Sequence, residues 1–215
     1  MCKIILVSIG TELLKGATLN TNVHFLSGLL VKSGYEIVHH LVVNDEGAEM
    51  IRGIEWAFET VDVVITTGGL GPTCDDLTKR MAVNYMGYEL EFNQQVADGL
   101  KQRFGAIPSI EEQAQQPKGA LLLKNSVGTA SGMVMEKGEK CLALLPGVPT
   151  EMEAMAQNEL LPWLEREFPL SAQYEATEFY LSMKNESEID PFLRELSQQA
   201  PHIEMGIYPA YGTLT

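Results

Sequence analysis

Val61-Asp62-Val63-Val64-Ile65-Thr66-Thr67-Gly68-Gly69-Leu70-Gly71-Pro72-Thr73-Cys74-Asp75-Asp76-Leu77-Thr78 passes from a β-branched apolar run into a glycine cluster and then into a helix start. Residues 61–67 predict a strand buried on both faces, because the run is apolar without alternation. Residues 76–85 predict a helix closed by Gly87. A strand, a glycine turn and a helix in that order make one arm of an open α/β sheet, where ligands gather at the carboxyl ends of the strands.

Upstream the same pattern repeats. Residues 3–9 predict a first strand ending at Gly10. Residues 23–33 carry Phe25, Leu26, Leu29 and Leu30 at helical spacing, with Asn20 and Thr21 as N-cap candidates and Gly34 as the stop. Residues 35–43 predict a second strand, and Asp45 precedes a one-sided helix bearing Met50, Ile51, Ile54, Ala57 and Phe58. Strand, helix, strand, helix, strand implies right-handed crossovers and a doubly wound, mostly parallel sheet. Downstream, helices are expected over 93–104 and 109–115, a strand over 120–123, a hairpin from 133–135 and 141–145, and a closing helix over 150–167. Phe168-Pro169 marks a boundary, giving domains at 1–168 and 169–215. The second reads as a small α+β fragment: a strand over 175–183, a helix over 186–199 and a strand over 203–208.

Of 215 residues, 45% are hydrophobic, enough for a substantial core, but the net charge is −14. An acidic surface repels nucleic acid and anionic membranes, so neither is an expected partner. It repels free phosphates too, so a phosphate site here needs a local device. Cys2, Cys74 and Cys141 are odd in number and lack a CxxC pair, which points to a reducing, cytoplasmic setting. No run approaches the roughly 20 apolar residues that cross a bilayer.

The glycine turn supplies the device. Glycines let backbone N–H groups approach an anion, and the following helix N-terminus adds donors. Gly68, Gly69 and Gly71 with the hydroxyls of Thr67, Thr73 and Thr78 are therefore expected to hold phosphate. A carboxylate beside a phosphate is repulsive unless a cation lies between them, so Asp75 and Asp76 point to a hard divalent cation such as Mg²⁺. One of the pair is expected to cap the helix, with Asp76 taking the functional role. Asp45, after the second strand, is either an N-cap or a second metal-binding acid, and Glu12 holds the equivalent place after the first strand. Gly128-Thr129-Ala130-Ser131-Gly132 and Leu145-Pro146-Gly147-Val148-Pro149 are further candidate loops. His39 and His40 face opposite sides of a strand and cannot chelate one metal together. Cys74, flanked by acids, reads as an ordinary thiol. Trp56, Phe58, Met152 and Met155 read as core.

Gly10-Thr11-Glu12-Leu13-Leu14-x-Gly16 with Asn20-Thr21-Asn22, the glycine turn through Thr78, Gly128-Thr129-Ala130 and Leu145-Pro146-Gly147-Val148-Pro149-x-Glu151-Met152 together resemble the amino-terminal domain of the CinA competence/damage-inducible family. The resemblance runs from near residue 3 to near 167; Ser131 stands where that family usually has proline. It implies a MoaB/MogA-like molybdopterin-binding fold followed by the start of a KH-like subdomain. It implies a Mg²⁺- and K⁺-assisted ADP-ribose pyrophosphatase yielding AMP and ribose 5-phosphate, with the paired essential acids on Asp45 and Asp76. Nucleotide contacts are then expected from Gly10, Thr11, Glu12, Asn20, Asn22, Gly128, Thr129, Pro146, Gly147 and Pro149 as well, in a homo-oligomer, most simply a dimer. The family's separate nicotinamide mononucleotide deamidase domain is absent from the sequence, so that activity is not expected of it. The rival readings are a molybdopterin-binding or adenylylating protein and a nucleotide-binding regulator without turnover. RNA binding by the KH-like tail is opposed by the acidic charge.

Overall fold

The computed structural model describes residues 2–71, 76–170, 177, 186–203 and 205–206. Pro72, Thr73, Cys74 and Asp75 lie outside them, as does the strand expected over 175–183 apart from residue 177. The chain divides into two compact units, residues 1–175 and 176–215.

In the first unit, β1 (Lys3–Ile9), β2 (Glu36–Val43), β3 (Val63–Thr67), β6 (Leu121–Leu123), β7 (Gly132–Lys137) and β8 (Lys140–Leu145) form one sheet in the order β2-β1-β3-β8-β7-β6. The first four in that order are parallel, while β7 runs antiparallel to both β8 and β6. Successive side chains of β1 enter different cores. Ile4 and Leu6 pack with α2 (Thr21–Lys32) and with α7 (Pro149–Met155) and α8 (Leu161–Glu167). Ile5, Val7 and Ile9 pack with α3 (Gly47–Thr60) and α4 (Thr78–Met86). This two-sided burial is what the unbroken apolar runs require, and it makes the doubly wound sheet.

The closing helix follows the expected course with one irregularity, a π-helical turn over Ala156–Leu160 between α7 and α8. Pro162 lacks an N–H to continue the regular ladder, which accounts for the change of pattern beside it. Trp56, expected in the core, is 42% exposed and packs edge-on against His39, 5.2 Å between ring centroids. It lies at the rim of the helix stripe, beside the edge strand. Three short elements escaped the sequence reading: α1 (Thr11–Leu14) and the ladder of β4 (Leu90–Phe92) with β5 (Gln115–Pro117). With α5 (Gln94–Phe104) and α6 (Ile110–Gln113), that ladder builds a small lobe around Ala97, Leu100, Ile110 and Ala114.

In the second unit the helix α9 (Glu186–Gln199) matches its expected bounds. Of the strand expected over 203–208, residues 203, 205 and 206 are described and none is in strand. Among the described residues no helix is long and apolar enough to cross a membrane.

Candidate functional site

The parallel strands end level with one another. Ile9 pairs with Val43, Ser8 with Thr67, and Thr67 with Leu145. Four loops therefore leave one edge in spatial order: Asn44-Asp45, Gly10-Thr11-Glu12, Gly68 to Gly71, and Pro146-Gly147. The β6–β7 connection, with Gly128 and Thr129, opens at the same edge because β6 runs in the direction of β8.

The glycine turn is shaped by close contacts that only glycine permits. Gly68 has φ +115°, and a Cβ there would overlap the Ile9 carbonyl oxygen. Gly69 has φ +65°, and a Cβ on it would strike the Thr78 hydroxyl. A Cβ on Gly71 would strike the Asp76 carboxylate, so Asp76 is folded into the turn itself. Thr78 N–H donates to the Gly69 carbonyl at 3.2 Å, closing the loop onto α4.

Asp45 does not cap α3. The N-cap position belongs to Glu46, without a side-chain cap bond, and Asp45 Oδ2 instead accepts from Thr11 N–H at 2.9 Å. That bond ties the loop after β2 to the loop after β1. The helices behind Asp45 and Asp76 also pack together, since Gly47 lies against the Met81 side chain and the Thr78 hydroxyl donates to Met50 Sδ at 3.4 Å. The two acids thus sit on the α3–α4 side of one sheet edge. Glu12 is exposed in α1 with its carboxylate over Gly10. Among the described residues no three His, Cys, Asp or Glu side chains form a metal-holding group, so Glu12, Asp45 and Asp76 are not a ready-made cage.

Several residues singled out in the sequence form the frame of the site. Thr67 is buried; its hydroxyl donates to the Pro146 carbonyl at 2.8 Å and accepts from Asn22 Nδ2 at 2.8 Å. Thr78, also buried, is spent on Met50. Neither hydroxyl is turned toward an anion, because each closes a gap between elements. Gly68 N–H donates to the Leu145 carbonyl at 3.1 Å and Gly10 N–H to the Val43 carbonyl at 3.0 Å, so these amides extend the ladders and do not grip phosphate. Asn20 caps α2 by accepting from Val23 N–H at 3.3 Å and donates to Ser8 Oγ at 2.8 Å. Gly147, whose Cβ would come within 3.3 Å of Gly68 Cα, lets two loops cross, and Pro149 starts α7. Thr73 and Asp75 lie outside the described residues.

A loop clamp was not anticipated. Buried Asn125 accepts from Val127 N–H at 2.9 Å and Gly128 N–H at 2.7 Å, and donates to the Ala130 carbonyl at 2.8 Å and Glu151 Oε2 at 2.5 Å. The Glu151 carboxylate occupies the space a Cβ on Gly128 would need. Gly128 N–H is thus committed to the loop. Asn125 was legible only as a polar residue between a strand and a glycine.

The site's electrostatics are lopsided. Lys79 and Arg80 directly follow the turn, yet Lys79 Nζ donates to the Glu112 carbonyl at 2.9 Å and Arg80 pairs with the Glu112 carboxylate at 3.1 Å. Burial lowers the Lys79 pKa, with Glu112 opposing that shift and Arg80 adding to it. Both cations latch the small lobe to α4 instead of serving the turn. An open groove in that lobe, lined by Phe92, Lys101, Ile107, Pro108, Ile110 and Gln115 among others, contains none of the residues singled out for the site. Two carboxylates at one sheet edge, Asp45 and Asp76, are donors of the kind that a hard divalent ion suits when phosphate oxygens complete its shell.

Residues 5–166 match the family described as "Probable molybdopterin binding domain". A protein of Pyrobaculum arsenaticum is 35% identical over 209 residues, covering 95% of this chain and 78% of that protein. A competence-damage inducible protein of Clostridium novyi is 39% identical over 166 residues, covering 75% of this chain; the chain spans 40% of that relative's length. Among solved structures, the protein CinA of Thermoplasma acidophilum, described as of unknown function, aligns with TM-score 0.67 and 34% identity, over 77% of this chain and 96% of that one. The tungsten cofactor synthesizing protein MoaB of Pyrococcus furiosus aligns with TM-score 0.53 at 19% identity, over 77% and 96%, a likeness of fold alone.

Proposed function

This chain belongs to the CinA family and carries its MoaB-like molybdopterin-binding fold, and on that premise we propose that it hydrolyses the phosphoanhydride of a dinucleotide-like substrate, ADP-ribose in the first instance, to AMP and ribose 5-phosphate. The observation that carries the reading is the meeting of Asp45, Asp76 and the glycine turn at one sheet edge, with the adjacent cations drawn away to Glu112. A phosphate entering that edge meets two carboxylates, so the substrate binds together with a divalent cation, Mg²⁺ by preference, held by Asp45 and Asp76. When bound, such an ion neutralises phosphoryl charge and lowers the pKa of an attacking water.

The chain's own residues supply position. Asp45 is held by Thr11 N–H, which fixes the carboxylate against β1 and leaves its remaining lone pairs for the site. Asp76 is held within the turn by its packing on Gly71. The backbone of Gly69 and Gly71, with the start of α4, orients the phosphates. Water attacks one phosphorus, the bridging P–O bond breaks, and the displaced phosphate leaves as its own product with a proton released. A K⁺ requirement and a homodimer belong to the same proposal, and K⁺-for-Na⁺ replacement and sedimentation test them.

Incubation with ADP-ribose and Mg²⁺ followed by product chromatography is the decisive assay. AMP with ribose 5-phosphate is expected, and Asp76→Asn is expected to lower the rate by at least about 100-fold, the scale of removing a group that stabilises transition-state charge. Full activity in Asp76→Asn refutes the assignment. Because the matched family is described by molybdopterin binding, the same purified chain is assayed for pterin adenylylation with ATP; adenylylated pterin without AMP release from ADP-ribose favours that second reading. Tight nucleotide binding with neither product favours a regulator.

A further inference from the structure

Asn22, the second residue of α2, is 8% exposed, and its neighbours fix the orientation of its amide. Nδ2 donates to Thr67 Oγ1 at 2.8 Å and to the Gly147 carbonyl at 2.9 Å. The single Thr67 hydroxyl proton goes to the Pro146 carbonyl at 2.8 Å, so Oγ1 can only accept from Asn22. Turning the amide over would set its oxygen against two acceptors. Oδ1 is therefore the atom pointing away from this network, and among the described residues it is buried without a hydrogen-bond partner. Buried acceptors left without a donor are uncommon in folded proteins and call for an explanation.

The location supplies one. The amide bridges the ends of β3 and β8 beside the crossing of Gly68 and Gly147, which places the Asn22 side chain at the base of the glycine turn. An oxygen with lone pairs and no proton cannot favour an anionic phosphate oxygen, so Asn22 is not a phosphate ligand. It suits a hydrogen-bond donor held next to a phosphate. In a nucleotide or sugar phosphate the donors nearest the phosphate are the hydroxyls of the pentose.

We propose that Asn22 Oδ1 accepts a hydrogen bond from a ribose hydroxyl of the bound phosphate ester and so makes the site selective for ribose over deoxyribose. The inference rests on the reading of the glycine turn as a phosphate site and specifies which sugar that site takes. A neutral hydrogen bond of this kind corresponds to about tenfold in affinity.

The test is titration calorimetry of the full chain with Mg²⁺ and probes that do not turn over: AMP, 2′-deoxy-AMP, 3′-deoxy-AMP, ribose 5-phosphate and 2-deoxyribose 5-phosphate. Loss of one particular hydroxyl is expected to weaken binding by about tenfold, and that penalty is expected to vanish in Asn22→Ala. Equal binding of all ribo and deoxy pairs by the unsubstituted protein overturns the inference, whether or not Asn22→Ala folds. A deoxy penalty that persists in a folded Asn22→Ala does so too. Potassium-dependent heat without any hydroxyl preference overturns it by assigning Oδ1 to a cation. No binding by any probe removes the phosphate-site reading beneath it, a result distinct from binding without sugar preference. Absence of ADP-ribose hydrolysis alone leaves the inference standing.

Discussion

Gly68 and Gly138 both have positive φ, +115° and +64°, but only Gly68 has a neighbour where a side chain would go. Alanine at Gly138 meets open space and bears only the conformational cost, about 1 kcal/mol. Alanine at Gly68 adds the overlap with the Ile9 carbonyl, which moves the backbone joining β1 to the turn, and about 3 kcal/mol or more is expected. Urea unfolding of the two variants checks the difference; equal losses would mean that the close approach carries no weight. His40 offers a second test at this scale. Ser27 Oγ gives its proton to the Val23 carbonyl at 2.7 Å, so the 2.9 Å contact with His40 Nε2 needs the proton on that nitrogen. Burial lowers the His40 pKa from 6.5. The unfolded chain then binds more protons just below pH 6.5, and stability contributed by neutral His40 is lost as pH falls through the folded-state pKa. A ring-proton titration by NMR is expected to give a midpoint below 6.5, and His40→Gln is expected to flatten the stability profile in that window; a raised midpoint contradicts the assignment.

Among elements, the Asn125–Glu151 pair is the most exposed to experiment. It joins the β6–β7 loop to the first turn of α7, and the loop amides of Val127 and Gly128 depend on it. Glu151→Gln keeps an acceptor for Asn125 Nδ2, whereas Glu151→Ala leaves one of its two N–H groups unmatched, the other still donating to the Ala130 carbonyl. The alanine change is expected to cost about 1–3 kcal/mol and the glutamine change under about 1. A double-mutant cycle with Asn125→Ala is expected to show coupling of at least about 0.5 kcal/mol; additivity would dissolve the clamp. This pair also shows where the sequence was readable. Long elements with unbroken apolar runs, such as β1 and β3, announced themselves, as did α2, whose cap Asn20 and stop Gly34 flank a regular stripe. The three-residue strands β4 and β5 are too short for a period, and Pro117 argues against a strand. At the site, the chain positions of Asp45, Asp76 and the glycines were legible because strand ends in a parallel sheet share an edge. Hydrogen-bond partners were not legible: Thr67 and Thr78 look like phosphate ligands by type, but packing spends their hydroxyls on Pro146 and Met50.

For the whole molecule, the governing quantity is the charge of −14 carried by a protein proposed to bind an anion. Most anion-binding proteins draw their ligands with a positive field, and added salt weakens the attraction. Here the long-range field opposes the ligand, and Lys79 and Arg80, the cations nearest the turn in sequence, are committed to Glu112. Short-range backbone donors and a shared divalent ion must then supply the affinity. Such contacts are screened little, whereas the repulsion between distant surface carboxylates and the phosphate is screened strongly at the roughly 10 Å Debye length of 0.1 M salt. Raising ionic strength from about 0.05 to 0.3 M at fixed Mg²⁺ should therefore leave AMP affinity unchanged or strengthen it a few fold. The supporting salt should be a tetramethylammonium salt, so that no potassium effect enters. Titration calorimetry across that range reads the slope directly. A tenfold or greater loss of affinity would reveal a basic field acting on the ligand, and with it a cation at the binding edge that the committed positions of Lys79 and Arg80 do not provide.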